Sequence, residues 1–144
     1  LKLLEGVVDI YLPDMKFMDA EEAALYLAGA ADYPQMAKNA LLEMHRQVSL
    51  HQVDDNGIAV RGLMIRHLVM PNNVGGTKGV VDWIAKNLPK ETYVNIMSQY
   101  RPMYKADQYP KIARRLTRKE YTQAVQWARD AGLTNLDIQG WRWS

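Results

Sequence analysis

The residues with the most chemical capacity fall at the ends of apolar, β-favouring runs. Asp14 and Lys16 follow the run Val7 to Leu12 in the stretch Leu-Pro-Asp-Met-Lys. Side chains two apart on an extended chain project to the same side, so a carboxylate and an ammonium share one face there. They would serve as a polar clamp for an amino-acid-like or ribose-bearing ligand, or as a plain ion pair on a loop. Arg66 sits inside the apolar run Leu63 to Met70. That run suits a strand covered on both faces, as in a parallel sheet. A guanidinium in such a strand must meet a carboxylate, a phosphate or a water-filled cavity, because an unpaired buried charge is prohibitively costly. Its planar fork suits a bidentate grip on a carboxylate; a structural salt bridge is the plainer alternative. His67 points to the opposite face of a regular strand, where a core histidine bonded to a backbone carbonyl is expected. Further on, Asn95, Met97 and Gln99 share one face, and Ser98 and Tyr100 the other, just before Arg101. Polar residues gathered at a strand end fit a site rim or an ordinary loop entry.

Several chemistries are set aside by composition. The chain has no cysteine, which excludes disulfides and thiolate metal sites. Its three histidines, at 45, 51 and 67, form no close pair, so an imidazole-built zinc site is not expected. A net charge of +2 is too small to argue for nucleic acid or an anionic membrane. The basic cluster Lys111, Arg114, Arg115, Arg118 and Lys119 lacks the interleaved aromatics that a nucleic-acid surface would want. Gly75-Gly76-Thr77 precedes a helix but lacks the lysine and spacing of a P-loop, so a plain cap is the better reading. No serine or cysteine nucleophile motif is present to suggest a hydrolase. No run approaches the roughly 18 apolar residues of a membrane span, and Leu1 to Tyr11 carries no secretory pattern; the cytoplasm is the default compartment.

These residues need a frame to position them. Strand-like segments Val7 to Leu12, Leu63 to Met70, Tyr93 to Met97 and Leu136 to Ile138 alternate with helical ones. The helices are a short amphipathic Ala20 to Ala28, one starting near Pro34 with Asp32 as its cap, and Lys78 to Leu88 capped by Thr77. The last begins at a Thr117/Glu120 capping box and ends at Gly132. In the second of them Met36, Ala37, Ala40, Leu41, Met44 and Val48 make one apolar stripe. His51 to Val60 reads as a small hairpin insertion turning at Asn56-Gly57, and Ser98 to Pro110 as irregular. The eight methionines fall mostly at core spacings. Alternating βα units predict one α/β domain over 1–144, with a parallel sheet of about four strands and flanking helices. Such a sheet is an arc of a barrel or a small open sheet, with ligands expected beyond the C-terminal strand ends.

VDIYLPDMKF, RGLMIRHLVMPN and ETYVNIMSQYRP resemble successive strand ends of radical S-adenosylmethionine (SAM) proteins of the pyruvate formate-lyase activating enzyme type. The similarity is greatest to the activating-enzyme-related iron–sulfur branch. It runs from Leu1 to about Gly140, and it rests on Arg-His-Leu-Val-Met-Pro together with the Asp-x-Lys strand end. The resemblance implies an arc of a partial (β/α)6 TIM-like barrel and an oxidoreductase. In such enzymes a CxxxCxxC loop binds a 4Fe-4S cluster whose reduction cleaves SAM to a 5′-deoxyadenosyl radical. It implies that Asp14 and Lys16 lie near SAM or an associated cation, and that Arg66 approaches the SAM carboxylate. Tyr100 aligns with a tyrosine ahead of a SAM-contacting histidine, whose own place is taken by Arg101. The expected partners are SAM and a glycyl-radical or other protein substrate, with neither nucleic acid nor membrane. Lacking thiolates, the chain by itself should not cleave SAM. It opens on Leu1 rather than Met, as if at an internal boundary, and is read as a C-terminal portion that would associate through the bare edge of its first strand. The alternative is a non-catalytic α/β binding or interaction module that keeps the scaffold.

Overall fold

The computed structural model describes residues 1–140. Strand and helix alternate as β1 (Ile10–Tyr11), α1 (Ala20–Tyr26), α2 (Tyr33–Val48), β2 (Gln52–Val53), β3 (Ala59–Leu68), α3 (Thr77–Asn87), β4 (Tyr93–Met97), α4 (Arg118–Asp130) and β5 (Leu136–Ile138). β1, β3, β4 and β5 lie side by side in that order, all parallel, while β2 runs antiparallel to the start of β3. The expected α/β class, with a parallel sheet and flanking helices, is what forms.

The strand order never reverses, so right-handed crossovers carry α2, α3 and α4 to the same side of the sheet, while Ala23 of α1 packs in a separate cluster with Phe17 and Met70. The burial pattern agrees. Leu41 and Val48 of α2, Val80, Val81 and Ile84 of α3, and Tyr121, Ala124, Val125 and Ala128 of α4 join one core with Leu63, Ile65, Val94 and Ile96. Of the alternate positions, Met64, Arg66, Leu68, Tyr93 and Met97 are only half-buried, and Asn95 alone is buried. The expectation of a strand covered on both faces is therefore corrected: one face is closed and the other open. The run looked doubly covered because Met64 and Leu68 occupy open-face positions that most half-exposed strands give to polar residues.

Local chemistry explains the other departures. The first strand is shorter than Val7 to Leu12: the amides of Val7 and Val8 still bond the Leu4 carbonyl, and Pro13 has no amide to give. β3 begins earlier than Leu63, because its start is the second arm of the predicted hairpin. The hairpin is thus an extension of a sheet strand and no separate insertion. Its turn is held by the Asp54 carboxylate accepting from the amides of Asn56 and Ile58. Asp32 occupies the cap position of α2 without a side-chain hydrogen bond. Met36 of the predicted stripe is exposed, and so is Met103 of the irregular stretch. α3 starts at Thr77, with Gly76 as cap in the left-handed region at φ 67°. A Cβ on Gly76 would meet Met18 Cβ at 2.9 Å, so close packing as well as the turn requires glycine there. The capping box of α4 is formed as expected. Among the described residues, no helix is long and apolar enough to cross a membrane.

Candidate functional site

Backbone anchoring decides where the Asp14–Lys16 stretch sits. Arg66 N–H donates to the Pro13 carbonyl and Met15 N–H donates to the Arg66 carbonyl, which prolongs the β1–β3 pairing by one bridge beyond Pro13. The Met15 side chain is fully buried, so its neighbours Asp14 and Lys16 turn the other way. Tyr33, the first residue of α2, clamps the same stretch: its hydroxyl donates to the Asp14 carbonyl (3.0 Å) and accepts from Lys16 N–H (2.8 Å). His67 fastens it from below, with Nδ1 2.6 Å from the Met15 carbonyl and Nε2 2.8 Å from Thr77 Oγ1. A carbonyl only accepts, so Nδ1 carries the proton and Nε2 accepts from the threonine hydroxyl. Burial pushes the imidazole pKa down, and the ring is held neutral. The buried, carbonyl-bonded histidine expected at 67 is observed.

With the backbone so fixed, the side chains converge on the open face. The Asp14 carboxylate accepts from Arg66 Nε at 2.7 Å and lies 3.7 Å from Lys16 Nζ. Arg66 is 41% exposed at its side chain, not buried as a doubly covered strand would require. Its Nη groups have no protein partner among the described residues. The sheet register extends this cluster sideways: Asp14 pairs with Arg66, Arg66 with Asn95, and Asn95 with Asp137. Four strands thus place a row of four polar residues at one level. Asp137 is held by Asn95 Nδ2 at 2.6 Å and by the Tyr93 hydroxyl at 2.7 Å. Burial and the neighbouring carboxylate push the Tyr93 phenol up to about 12, so it stays a donor at neutral pH.

Tyr100 is not part of this row. Its hydroxyl donates to the Ile112 carbonyl (2.8 Å), and with Lys16 it lines a separate cavity of about 500 Å³ over the strand ends. Lys16 borders both regions. The cavity lies at the C-terminal ends of β1, β3 and β4, where the parallel-sheet rule expects a ligand, whereas Arg66, Asn95 and Asp137 stand within their strands on the open face. Two members of the basic cluster are engaged in ion pairs: Arg114 binds the Glu120 carboxylate, and Lys111 binds Glu22. Sequence reasoning named Asn95 only as a polar strand-end residue and missed Tyr33, Tyr93 and Asp137. Their roles come from register and packing, and only the polar Asn95 inside an apolar strand gave any signal.

Fold and site together define an α/β protein whose parallel sheet has helices on one face and a charged row on the other. The chain is 40% identical over 140 residues to the uncharacterized protein MJ0674 of Methanocaldococcus jannaschii. That alignment takes in 96% of this chain and 36% of the archaeal protein, so the chain spans little more than a third of its relative. No family model matches the chain, and no solved structure matches it.

Proposed function

We propose that these residues form the C-terminal portion of a radical SAM iron–sulfur enzyme resembling the pyruvate formate-lyase activating enzymes, with the sheet as an arc of a partial (β/α)6 barrel. The unreversed strand order and the one-sided helices support the barrel reading, since in such a barrel helices ring the outside and the open face becomes the interior. The observation that carries the functional reading is the Asp14–Arg66–Lys16 cluster at the strand ends, with the Arg66 fork unpartnered and partly exposed. That geometry fits an amino-acid head group. The two Nη groups of Arg66 would take the SAM carboxylate, Asp14 would accept from its ammonium or ribose hydroxyls, and Tyr33 and His67 would hold the loop in place. When bound, SAM supplies the 5′-deoxyadenosyl group on which the chemistry of such enzymes depends.

The 4Fe-4S cluster is a different matter. Its thiolate ligands are absent from these 144 residues, which therefore do not fit it, and no step through the cluster is assigned to them. We propose that they come from another part of the polypeptide; the archaeal relative, matched over 36% of its length, has room for such a segment. The chain alone is then inactive. A glycyl-radical or other protein substrate, a cytoplasmic location and association along the bare β1 edge belong to the same reading.

The test uses the complete natural polypeptide, reconstituted anaerobically with iron and sulfide and assayed for 5′-deoxyadenosine. Reductant-dependent release is expected, and Arg66→Met should weaken SAM binding by about tenfold or more, the loss of a charge-assisted pair. A complete polypeptide without a CxxxCxxC segment, or one that releases no 5′-deoxyadenosine, overturns the reading. Unchanged SAM affinity in the Arg66→Met variant would remove the role assigned to that residue.

A further inference from the structure

We infer that the cavity over the strand ends binds a small molecule that joins an aromatic or branched apolar body to an anionic group, and that it is a second site, adjoining the charged row on the open face only at Lys16. The volume of about 500 Å³ lies within the roughly 300–1,000 Å³ typical of small-molecule sites. Leu68 and Met70 at the end of β3, with Phe17 beyond β1, line its inner side, while Tyr26, Tyr100 and Tyr109 supply aromatic walls. These rings are set before any ligand arrives. Phe17 stacks on Tyr26 with centroids 5.9 Å apart, Tyr26 meets Tyr109 edge-on at 5.6 Å, and the Tyr100 hydroxyl is tied to Ile112. Burial pushes the Tyr26 and Tyr100 phenols up, so those two rings remain uncharged.

The charge at the cavity is one-sided. Lys16, Arg101 and Lys105 line it, and among the described residues no carboxylate does. Acidic and basic residues number 16 and 18 in the chain, so this imbalance belongs to the cavity and not to the composition. The 3.7 Å separation between Lys16 and Asp14 is long for a charge-assisted hydrogen bond, which leaves the ammonium able to turn toward an anion. Lys105 lies 5.4 Å from the centre of the Tyr104 ring, at the rim. Tyr104 and Met103 are 90% and 75% exposed, apolar surface at the rim that a ligand would cover. The charged row differs in kind, since it carries the two carboxylates of Asp14 and Asp137. A sulfonium would find carboxylates at that row and only cations at the cavity. The inference therefore goes beyond the SAM reading and stands without it.

Calorimetric titration of the complete natural polypeptide with indole-3-propionate, indole-3-propionamide and tryptamine tests this directly. The carboxylate should bind about tenfold more tightly than the amide, and the amine more weakly still. Ala106→Trp, which fills the cavity, should abolish binding; if that variant does not fold, Leu68→Phe should weaken it. Lys16→Gln combined with Lys105→Gln should narrow the gap between carboxylate and amide several-fold, with Arg101 still lining the cavity. Excess S-adenosylhomocysteine should leave indole-3-propionate bound. Equal affinity for carboxylate and amine, displacement by S-adenosylhomocysteine, or no binding at millimolar concentration would each overturn the assignment. A failure to release 5′-deoxyadenosine leaves this titration untouched, so the two readings fail separately.

Discussion

The two faces of the sheet are cut from alternate residues of the same strands, yet they obey different rules. On the closed face Leu63, Ile65, Val94 and Ile96 are essentially dry, and the one polar member, His67, has both ring nitrogens satisfied. On the open face the same strands present Met64, Arg66, Tyr93 and Met97 half to water, and polar partners meet across strands. Burial stabilises the first face; the second contributes little to stability and displays charge. A region that carries charge without holding the fold together is available for binding.

The largest effects should therefore come from the closed face. Ile65→Ala or Ile96→Ala should each cost about 2–5 kcal/mol in urea unfolding, through lost burial and a residual cavity. Met97→Ala on the open face should cost less than about 1 kcal/mol. Equal losses would erase the distinction between the faces.

Next comes His67. His67→Leu leaves the Met15 carbonyl and the Thr77 hydroxyl without partners, a loss of about 1–3 kcal/mol. Acid exposes the same residue. The folded pKa lies below the unfolded value of 6.5, so the unfolded chain takes up the proton first. Stability is complete above 6.5 and falls as pH drops from there through the folded pKa. The leucine variant should lack that limb of the pH profile. A wild-type profile that is flat between neutral pH and the carboxylate range would contradict this.

A smaller effect belongs to the start of α4, where Thr117→Ala removes the capping hydroxyl and should cost about 1 kcal/mol. Glu120 in the same box is held well below its ordinary 4.5 by Arg114 first, with the amides of Asn72 and Thr117 adding to it. Its contribution is present above 4.5 and is lost as pH falls below that value, separately from the histidine limb. The least change is expected from Arg66→Met. Thermal unfolding should show a stability shift within about 1 kcal/mol, because the Arg66–Asp14 pair is partly exposed. A large loss there would make Arg66 a structural residue and weaken the case for a ligand at its fork.

Much of the scaffold could be read from residue order. The stripe Val80, Val81, Ile84 and Leu88, the Thr117/Glu120 box and the short last strand all appear where their local patterns place them, because helix faces and caps depend on neighbours a few residues away. The pairing of Asp14 with Lys16 and the opposite facing of Arg66 and His67 follow from strand periodicity alone. Which face would be open, which strand starts early and which residue opposes Arg66 depend on register between segments far apart in the chain. Local pattern carries no record of register, because a strand that slides past its neighbour keeps its own alternation while changing every partner. Tyr33 behind the Asp14–Lys16 turn, Asp137 beside Asn95 and the aromatic cavity were settled only when the folded chain brought those segments into contact.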